Sequence, residues 1–271
     1  MDKHFTIRSI SFSTLLGSII GLSLLGYAII SATDNYIMFI NLSSFLLVIG
    51  GTLAATMIAY SGNSVTRTMI SLVHIFINTR PSHTTIPAIV HRLLEFSITS
   101  KKQGALGVQK IITASEKNNS LLQFGVALLT AGYTGSDMRK MLNNSINHIF
   151  KEHTIRVHIF HTMATFCPSF GMIGTLVGLV IMFEKMGSDI SGIGKGMALA
   201  LLTTLYGVLL AQLLFKPASE KIRQKNESDR FYNQLILEGL CMIAEGADTL
   251  TIQDTLNSFI HQSQHVMINK K

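Results

Sequence analysis

The sequence predicts an all-α polytopic membrane protein with four transmembrane helices and a helical cytoplasmic domain. Three observations predict this fold class. Of the 271 residues 48% are hydrophobic and only 14% are charged, and the mean hydropathy is +0.40, as is typical of membrane proteins. Four apolar stretches long enough to cross a bilayer contain no Asp, Glu, Lys or Arg. Elsewhere apolar residues recur at helical spacings of three and four, and no stretch has a strand pattern.

The four apolar stretches are the predicted spans. They are centred on residues 15–30, 38–60, 157–183 and 197–215. About 20 apolar residues in a helix cover the roughly 30 Å of bilayer hydrocarbon. A cleaved secretory signal does not explain the first stretch, because a second apolar stretch follows it instead of a soluble domain.

The basic residues indicate the orientation. Residues 61–156 contain 11 Lys and Arg against 4 acidic residues, whereas the link 33–37 contains no Lys or Arg and the link 184–196 contains two residues of each sign. Cytoplasmic loops carry the excess of Lys and Arg, so residues 61–156 are predicted to be cytoplasmic, with both termini on that side. No nucleic-acid partner is predicted from the net charge of +7, because no basic patch is interleaved with aromatic residues.

This topology predicts four segments. They are an N-terminal segment 1–60 with spans one and two, a cytoplasmic helical domain 61–156, spans three and four in 157–215, and a cytoplasmic helical tail 216–271. Within them, helices are predicted from Thr85 onward, over 106–115, over 121–131, over 136–150 with Ser136 and Asp137 as cap candidates, and over 219–245 as a continuation of span four. Cys167 and Cys241 are predicted to be buried small hydrophobic residues.

Small and polar residues form a stripe on each of the last two spans. Span three has Pro168, Gly171, Gly174, Thr175 and Gly178, and span four has Ala200, Thr203, Thr204, Gly207 and Ala211. The stripes either only let helices pack closely, or they direct threonine hydroxyls towards a helix of another chain, where the oxygens suit a hard cation such as sodium. The spans contain no ionisable carboxylate or amine of the kind that ion pumps use, so the chain by itself is not predicted to be a complete transporter.

Two prolines and a group of histidines complete the candidate residues. Pro168 lies in the middle of an uncharged stretch and predicts a bend. Pro217 follows the membrane exit and either ends or redirects a helix there. His158 and His161 share a helix face, but no carboxylate or thiol completes a metal site. With no phosphate loop, nucleophile elbow or carboxylate dyad either, the sequence predicts neither a metal site nor an enzyme.

Two segments carry a resemblance to a known family: CPSFGMIGTLVGLVIMFEKM (167–186) and GKGMALALLTTLYGVLLAQLLFKPASEKI (194–222). They resemble the MotA/PomA subunits of the bacterial flagellar stator, which are part of the MotA/TolQ/ExbB superfamily. The order of two spans, a cytoplasmic domain, two more spans and a tail agrees with that family. The motif LLVIGGTLAA (46–55) extends the resemblance to span two.

The resemblance implies an ion-driven torque generator in the bacterial inner membrane. In that family a homo-pentamer of A subunits surrounds two copies of a single-span MotB/PomB-type subunit, whose aspartate supplies the carboxylate that is missing here. The cytoplasmic domains of the A subunits act on the rotor protein FliG, so the domain 61–156 is expected to face the rotor. No cofactor is implied beyond the transported Na⁺ or H⁺.

The resemblance also assigns residues. Thr175, Thr203 and Thr204 match the ion pathway, and Pro168 and Pro217 match the conformational hinge. The second threonine of the LTT pair resembles sodium-type stators, which favours Na⁺ over H⁺. The small residues assigned to packing around the partner helix are Gly171, Gly174, Gly178, Ala200 and Gly207.

The rotor-facing residues depart from the family pattern. Lys101, next to Lys102, occupies the position of the family's Arg, and Gln109 occupies the position of its acidic residue. Glu116 would substitute for that acid if the helix ran unbroken so far. Alternatively, Lys101 and Lys102 are only a solvated surface.

Two other functions compete with a stator. An ExbB/TolQ-type subunit, which energises outer-membrane transport or envelope integrity, has three spans and a periplasmic N-terminus. The uncharged run 9–33 favours four spans instead. The second alternative is a structural membrane scaffold without ion flux.

Overall fold

The computed structural model describes residues 12–77, 85–113, 116, 119–186 and 190–267. None of these residues lies in a strand, so the prediction of an all-α chain is confirmed. The helices are α1 (Phe12–Ala32), α2 (Leu42–Ala59), α3 (Gly62–Ile77), α4 (Thr85–Ile111), α5 (Ser120–Thr130), α6 (Gly135–Lys185), α7 (Ile190–Leu210), α8 (Lys216–Ala244) and α9 (Thr249–Ser258). A π-helical turn, Ala211–Phe215, joins α7 to α8, and 3₁₀ turns occur at Tyr36–Phe39 and Gln262–Gln264.

Several predicted helix boundaries are confirmed and others are wrong. Helix α4 begins at Thr85, and α8 continues from α7, as predicted. The separate helix predicted over 106–115 is confirmed in part: Gly104, at φ +70°, breaks α4, and a second helical part follows it and ends at Ile111. Residues 114 and 115 lie outside the described residues. Helix α6 is capped by Thr134, whose hydroxyl accepts a 3.3 Å hydrogen bond from the Asp137 N–H, and not by Ser136 or Asp137. An Ncap residue lies before the first helical residue, which here is Gly135.

The chain divides into two compact units. The first unit comprises Met1–Thr79 and Thr154–Arg223, so α3 belongs with α1 and α2. Its buried core contains Val48, Ile159, Phe160, Met163, Cys167, Ala211, Phe215 and Ala218. The hydroxyls of Thr52 and Thr56 on α2 are fully buried and donate to the carbonyls of Val48 and Thr52. A buried hydroxyl is thereby satisfied without a partner from another helix.

The second unit comprises Arg80–His153 and Gln224–Lys271. Its core is built by α4, α5, the first part of α6, α8 and α9, with Leu93, Phe96, Leu122, Met138, Leu142, Ile236, Leu240, Cys241, Ile252 and Leu256 fully buried. The predicted apolar face of α4 lies in this core, and both cysteines are buried as predicted. Burial of each large aliphatic or aromatic side chain contributes about 1.5–3 kcal/mol, so packing holds this unit together.

An ion-pair network closes the connection between α4 and α5. The guanidinium of Arg92 donates to both carboxylate oxygens of Glu116, at 2.7 and 2.8 Å, and to the Ile111 carbonyl at 2.9 Å. Glu116 also accepts from the Thr113 N–H at 2.8 Å and from its hydroxyl at 2.7 Å. Burial alone would raise the pKa of Glu116, but the hydrogen bonds from Arg92 and Thr113 outweigh it and hold the pKa below 4.5. Glu116 therefore has a structural role.

We expect Glu116→Gln to lower the free energy of local opening of the α4–α5 connection by about 1–3 kcal/mol, because hydrogen bonds to a charged partner are lost. Amide hydrogen exchange in the full chain measures this opening. The pKa is depressed, so stabilisation by Glu116 is complete above pH 4.5 and is lost as the pH falls through the lower folded value.

The matched control is Glu220→Gln, which removes an exposed pair with Arg223. Exposed pairs contribute about 0–1 kcal/mol, so exchange near residue 220 should change little. Equal effects of the two substitutions would contradict a special role for the Arg92–Glu116 pair.

Candidate functional site

The small residues of α6 and α7 bring the two helix backbones into direct contact. A Cβ atom built on Gly207 would lie 2.7 Å from the Cys167 carbonyl oxygen, and one on Gly178 would lie 2.6 Å from the Gly196 carbonyl oxygen. Real Cβ atoms essentially never come this close to backbone atoms. Glycine is therefore required at these positions because the opposing backbone occupies the space.

The small residues that the resemblance assigns to packing around a partner helix meet one another within this chain. Gly171 faces the Thr203 backbone, Gly174 faces the Thr203 side chain, and Gly178 faces Ala200 across the helix pair. Gly171, Gly174, Gly178, Ala200 and Gly207 thus close α6 against α7 of the same chain. Both stripes have the same spacing and lie on consecutive antiparallel helices. The small residues of one helix therefore pack against those of the other.

Sequence reasoning missed Gly196, which packs against Gly178 and Met182. A Cβ atom on Gly196 would lie 2.8 Å from the Gly178 carbonyl oxygen and 2.8 Å from the Met182 nitrogen. The signal was present in the sequence. Gly196 stands four residues before Ala200, so it continues the α7 stripe by one turn.

The three candidate threonines lie in different surroundings. Thr203 is fully buried, and its hydroxyl donates to the carbonyls of Leu199 and Ala200, both at 2.9 Å. Thr175 is half-buried and donates to the Met172 carbonyl at 2.6 Å. Thr204 is half-buried and reaches across to α6, with its hydroxyl 3.4 Å from the Gly171 carbonyl oxygen. Thr203 therefore faces the interior of its own chain, whereas Thr204 and Thr175 keep partial exposure.

The Thr204 contact has a geometry that can accept a cation. A distance of 3.4 Å is long for a hydroxyl–carbonyl hydrogen bond, whose usual length is about 2.7–2.8 Å. The oxygen atoms of Thr204 and Gly171 thus lie near one another with only a weak bond between them. Two neutral oxygens suit a hard cation, but they supply no negative charge to retain it. A complete site needs a carboxylate from elsewhere.

The two prolines occupy helical positions. Pro168 lies inside α6, which continues to Lys185, and its Cα would be 3.2 Å from a Cβ on Gly207. Pro217 lies in the first turn of α8, directly after the π-helical turn, in which the Lys216 N–H bonds to the Ala211 carbonyl. The helix therefore does not end at Pro217. The π-helical turn accommodates the backbone N–H that proline lacks, and α8 continues beyond it.

The predicted rotor-facing residues do not lie on one unbroken helix. Gly104 has φ +70°, which interrupts α4 between Lys101 and Gln109, and left-handed backbone of this kind favours glycine. Lys101 forms a 2.7 Å ion pair with Asp248, the N-cap residue of α9, and the pKa of Asp248 is lowered first by that hydrogen bond. Lys102 and Gln109 are exposed.

Glu116 does not replace the missing acid on this surface. Helix α4 ends at Ile111, and the Glu116 carboxylate is directed to Arg92. The hypothesis of a substitute acid at Glu116 is therefore wrong, because a continuous helix from 101 to 116 was its condition. Among the described residues no three His, Cys, Asp or Glu side chains converge as a metal site would require.

The described residues contain three helical segments long and apolar enough to cross a membrane: Tyr36–Ala59, Gly135–Lys185 and Gly192–Ala244. Helix α1 covers the first predicted span, and its part Ile19–Ala32 is a shorter apolar helix. Long apolar helices and close packing between the uncharged segments 157–183 and 197–215 are typical of a multi-helix membrane protein.

Comparison with known proteins finds similar sequences. Residues 113–232 match the MotA/TolQ/ExbB proton channel family. The chain is 29% identical over 255 residues to YtxD of Bacillus subtilis, covering 93% of this chain and 92% of YtxD. It is also 29% identical over 257 residues to the chemotaxis protein PomA of Vibrio alginolyticus, covering 94% of this chain and 97% of PomA.

The fold agrees with a solved relative. The structure of C. jejuni MotAB aligns with a TM-score of 0.79 at 21% identity, over 93% of this chain and 96% of that chain. At this identity the alignment shows a shared fold. The sequence matches and this shared fold make the chain similar to the MotA/PomA proteins, in agreement with the resemblance that the motifs in spans three and four indicated.

We expect Gly207→Ala to destabilise the chain by about 1–3 kcal/mol, the usual cost of overpacking a tight contact, because the new Cβ meets backbone atoms of α6. Thermal unfolding of the detergent-solubilised chain measures the loss. Gly50→Ala is the control, because no atom lies within 4 Å of a Cβ there, and alanine in a helix is slightly stabilising. If both variants unfold at the same temperature, the close contact of α6 and α7 is not essential.

Proposed function

We propose that this chain is the ion-conducting A subunit of a flagellar motor stator, and that it couples cation flow to torque on the rotor. The observation that carries the proposal is the Thr204–Gly171 oxygen pair, which lies between the uncharged segments 157–183 and 197–215. Such a site requires a carboxylate from another chain. The similarity to PomA and to the MotAB structure supports a MotB/PomB-type single-span subunit as its source.

The proposed arrangement in the membrane is the four-span topology. Helix α1 has 21 residues and contains no charged residue. A helix of this length can cross the bilayer hydrocarbon. With the excess of basic residues in 61–156, the positive-inside rule puts both termini in the cytoplasm of a bacterial inner-membrane protein. We extend the proposal to a pentameric ring whose cytoplasmic parts act on FliG.

In this proposal, Thr175 and Thr204 border the path of a partly dehydrated cation, with Na⁺ favoured over H⁺. Thr203 serves the path by fixing the α6–α7 contact, because its own hydroxyl is occupied by its helix backbone. Pro168 and the π turn before Pro217 interrupt regular helix geometry in α6 and at the α7–α8 junction. Such interruptions allow bending where a continuous α-helix resists it, so they are the proposed hinges. The proposal includes no cofactor and no enzymatic step.

The first test is the swimming speed of a deletion strain complemented with this chain, over a sodium titration at fixed pH. A speed that rises with sodium supports a sodium-coupled stator. A restored speed that is indifferent to sodium shifts the coupling to protons. If the deletion swims normally and the envelope is impaired, the ExbB/TolQ-type function, which the matched family also includes, replaces the stator.

We expect Thr204→Ala to reduce swimming speed at least about tenfold at a given sodium concentration, because a lost contact to a charged partner costs about 1.5–3 kcal/mol. The level of the chain in the membrane should stay unchanged. The control Thr66→Ala removes a hydroxyl that bonds to its own helix in α3 and should swim normally. A loss of membrane level in Thr204→Ala would support packing instead of ion contact.

The role of Lys101 is tested by two substitutions that break the same ion pair. Lys101→Gln and Asp248→Asn both remove the Lys101–Asp248 pair, and asparagine keeps the α9 N-cap. We expect Lys101→Gln alone to reduce motor torque, measured by bead rotation, because the positive charge that meets the rotor is lost. Equal reductions of torque in the two variants would show that the ion pair only stabilises the fold. Normal torque in both variants would show that Lys101 is part of a solvated surface.

A further inference from the structure

The phenol of Tyr206 on α7 connects this helix to the link between α1 and α2. Its hydroxyl donates to the Phe39 carbonyl and accepts a 3.0 Å hydrogen bond from the Asn41 N–H. These partners are more than 160 residues away in sequence. One side chain therefore satisfies two backbone groups at the end of a 3₁₀ turn and the start of α2.

Neither backbone group has an evident replacement for Tyr206. The Asn41 side chain is already used, because it accepts from the Ser44 N–H at 3.0 Å as the N-cap of α2. The Tyr206 ring packs edge-on against Phe45, with ring centroids 6.1 Å apart at an interplanar angle of 84°. Loss of a hydrogen-bond partner from a part-buried backbone group has a free-energy cost. The contact is thus both needed and held in one geometry.

The position of Tyr206 on α7 relates it to the candidate ion site. Thr203 and Thr204 lie within one turn before it, and the next residue, Gly207, contacts the backbone of Cys167 and Pro168 on α6. A five-residue stretch of α7, 203–207, therefore carries the threonines, the contact with α6 at Pro168 and the connection to the α1–α2 link. A displacement of α7 at Pro168 must move the link or break the hydrogen bonds.

We propose that Tyr206 is a positioning residue that couples α7 to the α1–α2 link, so that α1 and α2 follow the movement of α7 when the ion site changes state. This proposal rests on the proposed stator function. Tyr206 does not contact the ion. It contributes to transmitting the movement of α7 to α1 and α2 of the same chain.

The test is Tyr206→Phe in the full chain with its B subunit, which removes both hydrogen bonds but keeps the ring that packs on Phe45. The matched control is Tyr27→Phe, because Tyr27 is 74% exposed on α1. Hydrogen exchange is measured in lipid nanodiscs on peptides covering 39–44 and 165–175. Maximal swimming speed, the sodium concentration for half-maximal speed and the membrane level of the chain are measured in cells.

We expect exchange over 39–44 to become about fivefold faster in Tyr206→Phe, as for the loss of one backbone hydrogen bond, with 165–175 unchanged. Maximal speed should fall while the half-maximal sodium concentration stays the same, because the ion site is intact and only transmission is impaired. Tyr27→Phe should change neither.

Three results would overturn the proposal: exchange over 39–44 equal to that of Tyr27→Phe, faster exchange with normal maximal speed, or a fall in membrane level that accounts for the loss of speed. A wild-type chain that does not restore swimming would instead refute the stator function. The exchange measurement would then still decide whether Tyr206 holds the link.

Discussion

The direct backbone contact between α6 and α7 is the constraint on which the membrane part of this structure depends. In lipid no hydrophobic force drives two apolar helices together, so close packing of small residues has to do so. Gly178 against Gly196 and Gly207 against Cys167 leave no room for a Cβ. This closeness also brings the Thr204 hydroxyl near the Gly171 carbonyl, so the candidate ion site is a consequence of the packing.

A second constraint is that polar groups must be satisfied locally when water is absent. The hydroxyls of Thr52, Thr56 and Thr203 donate to carbonyls of their own helices. Tyr206 differs from these threonines, because its hydroxyl bonds to the backbone of a distant link. The contrast distinguishes threonines that only fill space from side chains whose hydrogen bonds connect elements, and it is the basis for assigning Tyr206 a positioning role.

The second unit is stabilised differently from the first. Its core is a conventional apolar cluster, and its charges lie at its surface. Arg92 and Glu116 are the exception, since they bond one another and close a connection. Lys101 and Asp248 form an exposed pair beside the break at Gly104. A surface of this kind is compatible with a charged partner. Gln109 is not acidic, but Asp248 supplies a carboxylate near Lys101.

The sequence by itself determined the helical class, the apolar stretches, the resemblance to MotA/PomA proteins and the position of α4 and α8, because uncharged runs, periodicity and the motifs of spans three and four are local properties. Only the tertiary structure decided which way the stripes face. The stripes that contain Gly171 and Ala200 pack against each other within the chain. The Glu116 carboxylate forms an ion pair with Arg92. Such choices depend on which surfaces meet when the chain folds, and residue spacing along one helix does not specify its neighbour.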